Sequence, residues 1–247
     1  MNSSDLIPVL LLMLLGLSLA TGATIVLVGL HIVRRGSLPE ACRADDSPKP
    51  SDGAIKLAPP QPGTWLVVRS RRLRDIQLAL RLHNSKPCPC TEALSGGRGV
   101  FIAPPADRWT LVTGSGLPEP GEDIDLCFRF LQRVSRCLGT VQYFNVNRLQ
   151  SHHAWIWCER GRVVRAYAWT GYTAWNQGPE TTAERELGLR CLPYSDPTES
   201  RFEDDFAAAN TEKVSLLAAR WGADPVAILD ALREPAHGIA GDPWRLD

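Results

Sequence analysis

Hydrophobic positions along this chain fall into one long unbroken run followed by many short periodic ones. The long run opens at Leu6 and closes at Leu30, holds no charged residue, and has only Ser18, Thr21 and Thr24 as polar members. At 1.5 Å of rise per residue, such a run crosses about 30 Å of hydrocarbon with some tilt. The expected element is a single transmembrane helix over residues 6–33, after a short tail, residues 1–5. A cleaved secretory signal fits less well. The tail lacks a basic residue, and the apolar core is too long.

Residues 34–63 break the pattern. Pro39, Pro48, Pro50, Pro59, Pro60 and Pro62 stand among small and charged residues, a composition that buries too little surface to offset its ordering entropy. This stretch reads as a disordered tether, and residues 64–247 as the folded domain. Residues 65–68 are a short apolar strand. Leu73, Ile76 and Leu80 then recur at helical spacing, predicting a helix over residues 71–82. Pro87-Cys-Pro-Cys90 stops it. Residues 100–103 and 110–113 read as strands. A helix over residues 123–138 carries Ile124, Cys127, Phe128, Leu131 and Val134 on one face, with Gly139 as its stop.

Residues 141–147 are rich in aromatic and β-branched side chains and predict a strand. Residues 153–159 and 162–170 form the clearest hairpin, joined through Arg160-Gly161. Two registers compete there. A two-residue turn places Trp155 opposite Ala166. A type I turn with a glycine bulge places it opposite Arg165, where a cation–π contact becomes available. Turn chemistry favours the second, because arginine resists positive φ. A loop through residues 175–178 follows, then a short helix over residues 182–189 and an exposed acidic stretch over residues 196–205. Asn210 is expected to cap a helix over residues 211–221, and Asp224, with Pro225 at its first position, a last helix to Leu232. Strands in clusters with helices between them indicate an α+β domain: a largely antiparallel sheet with helices packed on a face.

Charge then sets the orientation. Arg34 and Arg35 follow the apolar run, while the tail carries no basic residue. Basic residues are retained on the cytoplasmic side. The N-terminus is therefore expected outside and the domain in the cytoplasm, at a bacterial inner (plasma) membrane. The whole chain balances 27 Lys and Arg against 27 Asp and Glu, which argues against a nucleic-acid binder. Residues 64–110 hold eight basic against three acidic residues, and residues 177–205 three against eight. Solvated faces account for both. The seven cysteines are scattered, unlike a disulfide framework. Cys127, Cys137 and Cys158 fall within apolar patterns and read as small hydrophobes.

No phosphate-binding loop, dinucleotide fingerprint, zinc-protease helix or nucleophile elbow is present. Cys88-Pro-Cys90 with His83, or with His152 and His153, has ligand chemistry, but one intervening residue bites poorly around a metal. His83, one helical turn before Cys88, is the base that a cysteine nucleophile there would need. No metal, no cofactor and no catalytic residue is accordingly expected. Aromatic residues concentrate between residues 141 and 176. Strand alternation sends some of them to a core and leaves others for the opposite face. If that face is open, His153, Trp155, Arg165, Tyr167, Trp169, Trp175 and Asn176 form an aromatic surface suited to recognising a partner.

Val100-Phe-Ile-Ala-Pro-Pro, Trp109-Thr-Leu-Val, Val141-Gln-Tyr-Phe, His153-Ala-Trp, Arg165-Ala-Tyr-Ala-Trp, Trp175-Asn and Ala183-Glu-Arg-Glu-Leu-Gly together resemble a family of uncharacterised bacterial proteins, over residues 65–232. The resemblance implies a bacterial origin and one coherent domain, and no activity. The functional expectation is a membrane-anchored, non-catalytic interaction domain with a protein partner. The alternative is a membrane-tethered hydrolase-type enzyme with a pocket around His152, His153, Arg165 and Asn176.

Overall fold

The computed structural model describes residues 62–94, 99–194, 204–232 and 236–243. The expected transmembrane helix, the tail, all but the last two residues of the tether and residues 196–203 of the acidic stretch lie outside them. Among the described residues no helix is long and apolar enough to cross a membrane.

Among the described residues nine strands form one sheet. In chain order the elements are β1 (Thr64–Val68), α1 (Leu73–Leu80), β2 (Leu82–Pro89), α2 (Cys90–Leu94), β3 (Val100–Ile102), β4 (Thr110–Thr113), α3 (Ile124–Leu138), β5 (Thr140–Asn147), β6 (His152–Glu159), β7 (Arg162–Trp169), β8 (Thr173–Gln177), α4 (Thr182–Glu186), α5 (Asp204–Arg220), α6 (Pro225–Asp230) and β9 (His237–Pro243). The strand order is β2-β9-β3-β4-β1-β5-β6-β7-β8, and each of these pairings is antiparallel. The α+β expectation holds, with a larger sheet.

Helices cover both faces of that sheet rather than one. Trp65, Val67, Phe144, Val146, Trp155 and Tyr167 pack under α4, α5 and α6. Leu66, Val68, Tyr143, Ala154, Ile156 and Ala166 pack under α1 and α3. Consecutive positions of a strand point to opposite faces. The five residues of β1 are therefore all buried, as expected of a strand covered on both sides.

Several boundaries move for local reasons. Arg81 ends α1 in the left-handed region at φ 53°, and the chain enters β2 where a continued helix was expected. The Pro-Cys-Pro segment is thus an edge strand, a place where a proline's missing N–H does no harm. β9 pairs β2 with β3. At Gly238 a Cβ would strike the Phe101 ring and the Ile102 carbonyl, so only glycine fits there. α3 matches its expectation: Asp123 accepts the Leu126 N–H at 2.8 Å, and Gly139 (φ 87°) closes the helix. α5 starts well before Asn210, because Phe206 packs edge-on against Trp169 at 5.0 Å and Ala207 is buried with it. Asn210 is therefore a buried interior residue of the helix, not its cap. Cys137 is exposed, whereas Cys127 and Cys158 are buried as expected.

The β6–β7 hairpin adopts neither expected register. Arg160 does take positive φ (48°), followed by Gly161 (82°), giving a two-residue turn. The turn is tied to the end of α3: the Arg160 N–H donates to the Gly139 carbonyl at 2.9 Å, and the Gly161 N–H to Ser135 Oγ at 3.1 Å. These bonds offset the cost of about 1–2 kcal/mol for a left-handed arginine. A bulge at Val164 then shifts the pairing, so Trp155 lies opposite Tyr167 and Trp157 opposite Arg165.

Candidate functional site

The residues singled out in the sequence separate between the two faces. His153, Trp155, Arg165, Tyr167 and Trp169 lie on the α5 side, and Asn176 joins them through Arg165. Trp175 lies on the other side, edge-on to Phe128 of α3 at 5.4 Å. All except Asn176 are buried. The expected open aromatic surface is therefore closed: the helices that cover the sheet leave no bare face for it.

At its middle, the α5 side holds a charged centre. Thr181 and Glu184 form a reciprocal capping box at the start of α4, which turns the Glu184 carboxylate inward onto the sheet. Its Oε2 accepts the Thr181 N–H at 2.7 Å. Its Oε1 accepts Trp155 Nε1 at 2.7 Å and Arg165 Nε at 2.8 Å. Arg165 Nη1 donates to Asn176 Oδ1 at 2.8 Å and to the carbonyls of Ala166 and Gly178, and Nη2 reaches Cys191 Sγ at 3.0 Å. Burial pushes the Cys191 thiol up to about 12 against the pull of Arg165, so it is not held as a thiolate.

His153 stacks on Trp155 at 5.4 Å, with the ring planes 7° apart. Its Nδ1 lies 3.0 Å from Thr211 Oγ1, whose own hydroxyl donates to the Ala207 carbonyl. Its Nε2 lies 3.4 Å from Asn210 Nδ2. The network fixes Nδ1 as the protonated nitrogen. Burial lowers its pKa to about 3, so the ring is neutral. His152 faces Gly121 and Gly171 instead.

The chemistry of this centre is closed. A general acid or base must present a titrating group to a reacting atom. Here each named donor and acceptor is already engaged with another. Cys88 and His83 do not assemble either. They stand towards opposite ends of β2, His83 opposite Asp242 and Cys88 opposite Gly238, not one helical turn apart as expected. Burial raises the Cys88 pKa. Among the described residues no three His, Cys, Asp or Glu side chains are grouped as metal ligands would be.

Open space lies on the opposite side. A cleft of about 950 Å³ runs between the end of α1, the loop before α3, the end of β9 and the side of α3 that carries Leu126, Phe130 and Arg133. Leu80, Leu117, Leu126 and Phe130 give it apolar walls, Glu122 and Asp242 contribute acids, and Arg133 a base. The Arg133 guanidinium stands 5.6 Å from the Phe130 ring centre. Its Nε is buried, with no hydrogen-bond partner among the described residues. Burial, with Arg81 adding, lowers its pKa. Sequence reasoning did not find this cleft. A signal existed in Phe130, an apolar residue outside the stripe expected for α3, which the structure buries beside Cys127, Leu131 and Val134.

Comparison with protein families, curated proteins and solved structures finds no match to this chain.

Proposed function

We propose that this chain is a non-catalytic binding domain anchored in a bacterial inner membrane by residues 6–33, with the domain on the cytoplasmic side, and that the α1–α3 cleft is its recognition site. The observation that carries the reading is the combination of open volume with apolar walls and a lining guanidinium, Arg133, that forms no ion pair among the described residues. Binding sites have this character, mostly apolar walls with a few convergent polar groups. The buried Arg165–Glu184 centre acts as scaffold, holding β7, β8, α4 and the segment through Cys191 in one arrangement. A hydrolase-type enzyme working through His152, His153, Arg165 and Asn176 has weaker support, because the imidazole of His153 is neutral, stacked and bonded at both nitrogens.

The test is site-specific photocrosslinking. Benzoylphenylalanine replaces Leu126, within the cleft, in the full chain in its native membranes, with the same substitution at the fully exposed Leu149 as control. A light-dependent adduct of defined mass at position 126, absent at 149, is expected. Equal labelling at both positions would reject the cleft as the recognition site.

A further inference from the structure

The cleft has a polarity that narrows what can fill it. Leu126, Phe130 and Arg133 are spaced four and three residues apart, so they lie in one row along α3. The row covers about 10 Å of helix. Its apolar members face Leu80 and Leu117 across the cleft, and its last member is a cation. Arg133 forms no ion pair among the described residues, nor does Arg81. Besides burial, Arg81 is the cation that acts on Arg133. Two guanidiniums therefore act at this end of the cleft, and Glu122 and Asp242, which also line it, form no ion pair with Arg133.

An isolated guanidinium presents a planar fork of N–H donors that matches a carboxylate or phosphate. The neighbouring Phe130 ring gives the cation an electron-rich face but leaves Nε without an acceptor. Arg136, in the last turn of α3, is exposed and answers the helix dipole from solvent. Arg133 instead has its Nε buried at the wall of an apolar cleft.

We infer that the ligand of this cleft is an anionic amphiphile, its carboxylate or phosphate head paired with Arg133 and its apolar chain laid between Leu80, Leu117, Leu126 and Phe130. The inference rests on the cleft being the recognition site, and it adds the chemical class of the occupant. Lipid-derived carboxylates and lysophosphatidic acids share this chemistry.

The experiment uses the full chain in phosphatidylcholine nanodiscs, titrated with 11-(dansylamino)undecanoate, whose emission rises in apolar surroundings. Its uncharged primary amide is the companion probe. Saturable binding of the carboxylate is expected. Arg133→Gln should weaken that binding about tenfold or more, the worth of one charge-assisted bond, and leave the amide within about twofold. Arg133→Lys should recover part of the loss. Leu126→Trp, which fills the apolar part, should abolish binding of both probes. Lysophosphatidic acid should displace the carboxylate, and inorganic phosphate alone should not.

Equal carboxylate affinity in wild type and Arg133→Gln, with loss in Leu126→Trp, would overturn the anion assignment and leave the cleft standing. Displacement by inorganic phosphate alone would overturn the amphiphile. Unchanged binding in all three variants would overturn both the inference and the reading beneath it. Absence of saturable binding, beside a specific crosslink at position 126, would overturn the inference alone.

Discussion

Arg165 Nε meets Glu184 Oε1 at 2.8 Å with both side chains sealed from solvent, at 1 % and 0 % exposure. Desolvating two charges costs several kcal/mol per ion, which their attraction and further hydrogen bonds offset. Removing one partner strands the other. Glu184→Gln is expected to lower unfolding stability by roughly 3–5 kcal/mol, read from the urea midpoint at unchanged slope. Arg165→Met combined with Glu184→Met should cost less than the sum of the two single losses, by more than about 1 kcal/mol of coupling.

His153 makes stability depend on pH. Unfolded, its imidazole titrates near 6.5; folded, near 3. Above pH 6.5 neither state holds the proton and the contribution is constant. As pH falls from 6.5 towards 3, only the unfolded state takes the proton, so stability falls by up to about 1.4 kcal/mol per pH unit. His152, whose pKa burial also lowers, adds in the same direction. His153→Gln removes one titrating ring and leaves the other. Its stability curve should be flatter than wild type in the upper part of that window, above the carboxylates.

Tyr194 finishes the β8 edge. Its hydroxyl accepts the Asn176 N–H at 2.8 Å and donates to the Asn176 carbonyl at 3.2 Å, taking the place of a missing neighbouring strand. Exposed edges are templates for pairing with other chains. Tyr194→Phe should speed exchange of the Asn176 amide about tenfold, the equivalent of one net hydrogen bond, and make association dependent on concentration.

Much of this fold was readable where a signal was local. The apolar stripe and acidic cap of α3, the strands β3 to β7 and the Asp224 cap of α6 each follow from side chains a few residues apart. β2, β8 and β9 were not readable. Two of them, β2 and β9, carry prolines or glycines that oppose strands, and they pair with each other across a long stretch of chain, as Leu82 with Pro243 shows. The closure of both faces did leave a trace. Thr64–Val68 and the middle of β5 are nearly unbroken in burial, and strict alternation is the wrong template for strands covered twice.

The candidate centre was half legible. Arg165 and Asn176 were singled out, and they bond directly. Their anion, Glu184, was not, although Thr181 and Glu184 stand at the spacing of a capping box. A capping glutamate normally faces solvent, and only the docking of α4 onto β6 and β7 turns this one inward. Arg133 carried no signal of its own, because an arginine on an amphipathic helix reads as solvated until the opposite wall of its cleft is in place.

Hydrogen–deuterium exchange of the full chain in its native membranes, against the same chain purified into phosphatidylcholine nanodiscs, tests the central claim most directly. Recognition through the α1–α3 cleft is expected to slow exchange in native membranes over residues 114–133, with residues 152–177 unchanged. Slowed exchange over residues 152–177 with residues 114–133 unaltered would contradict it.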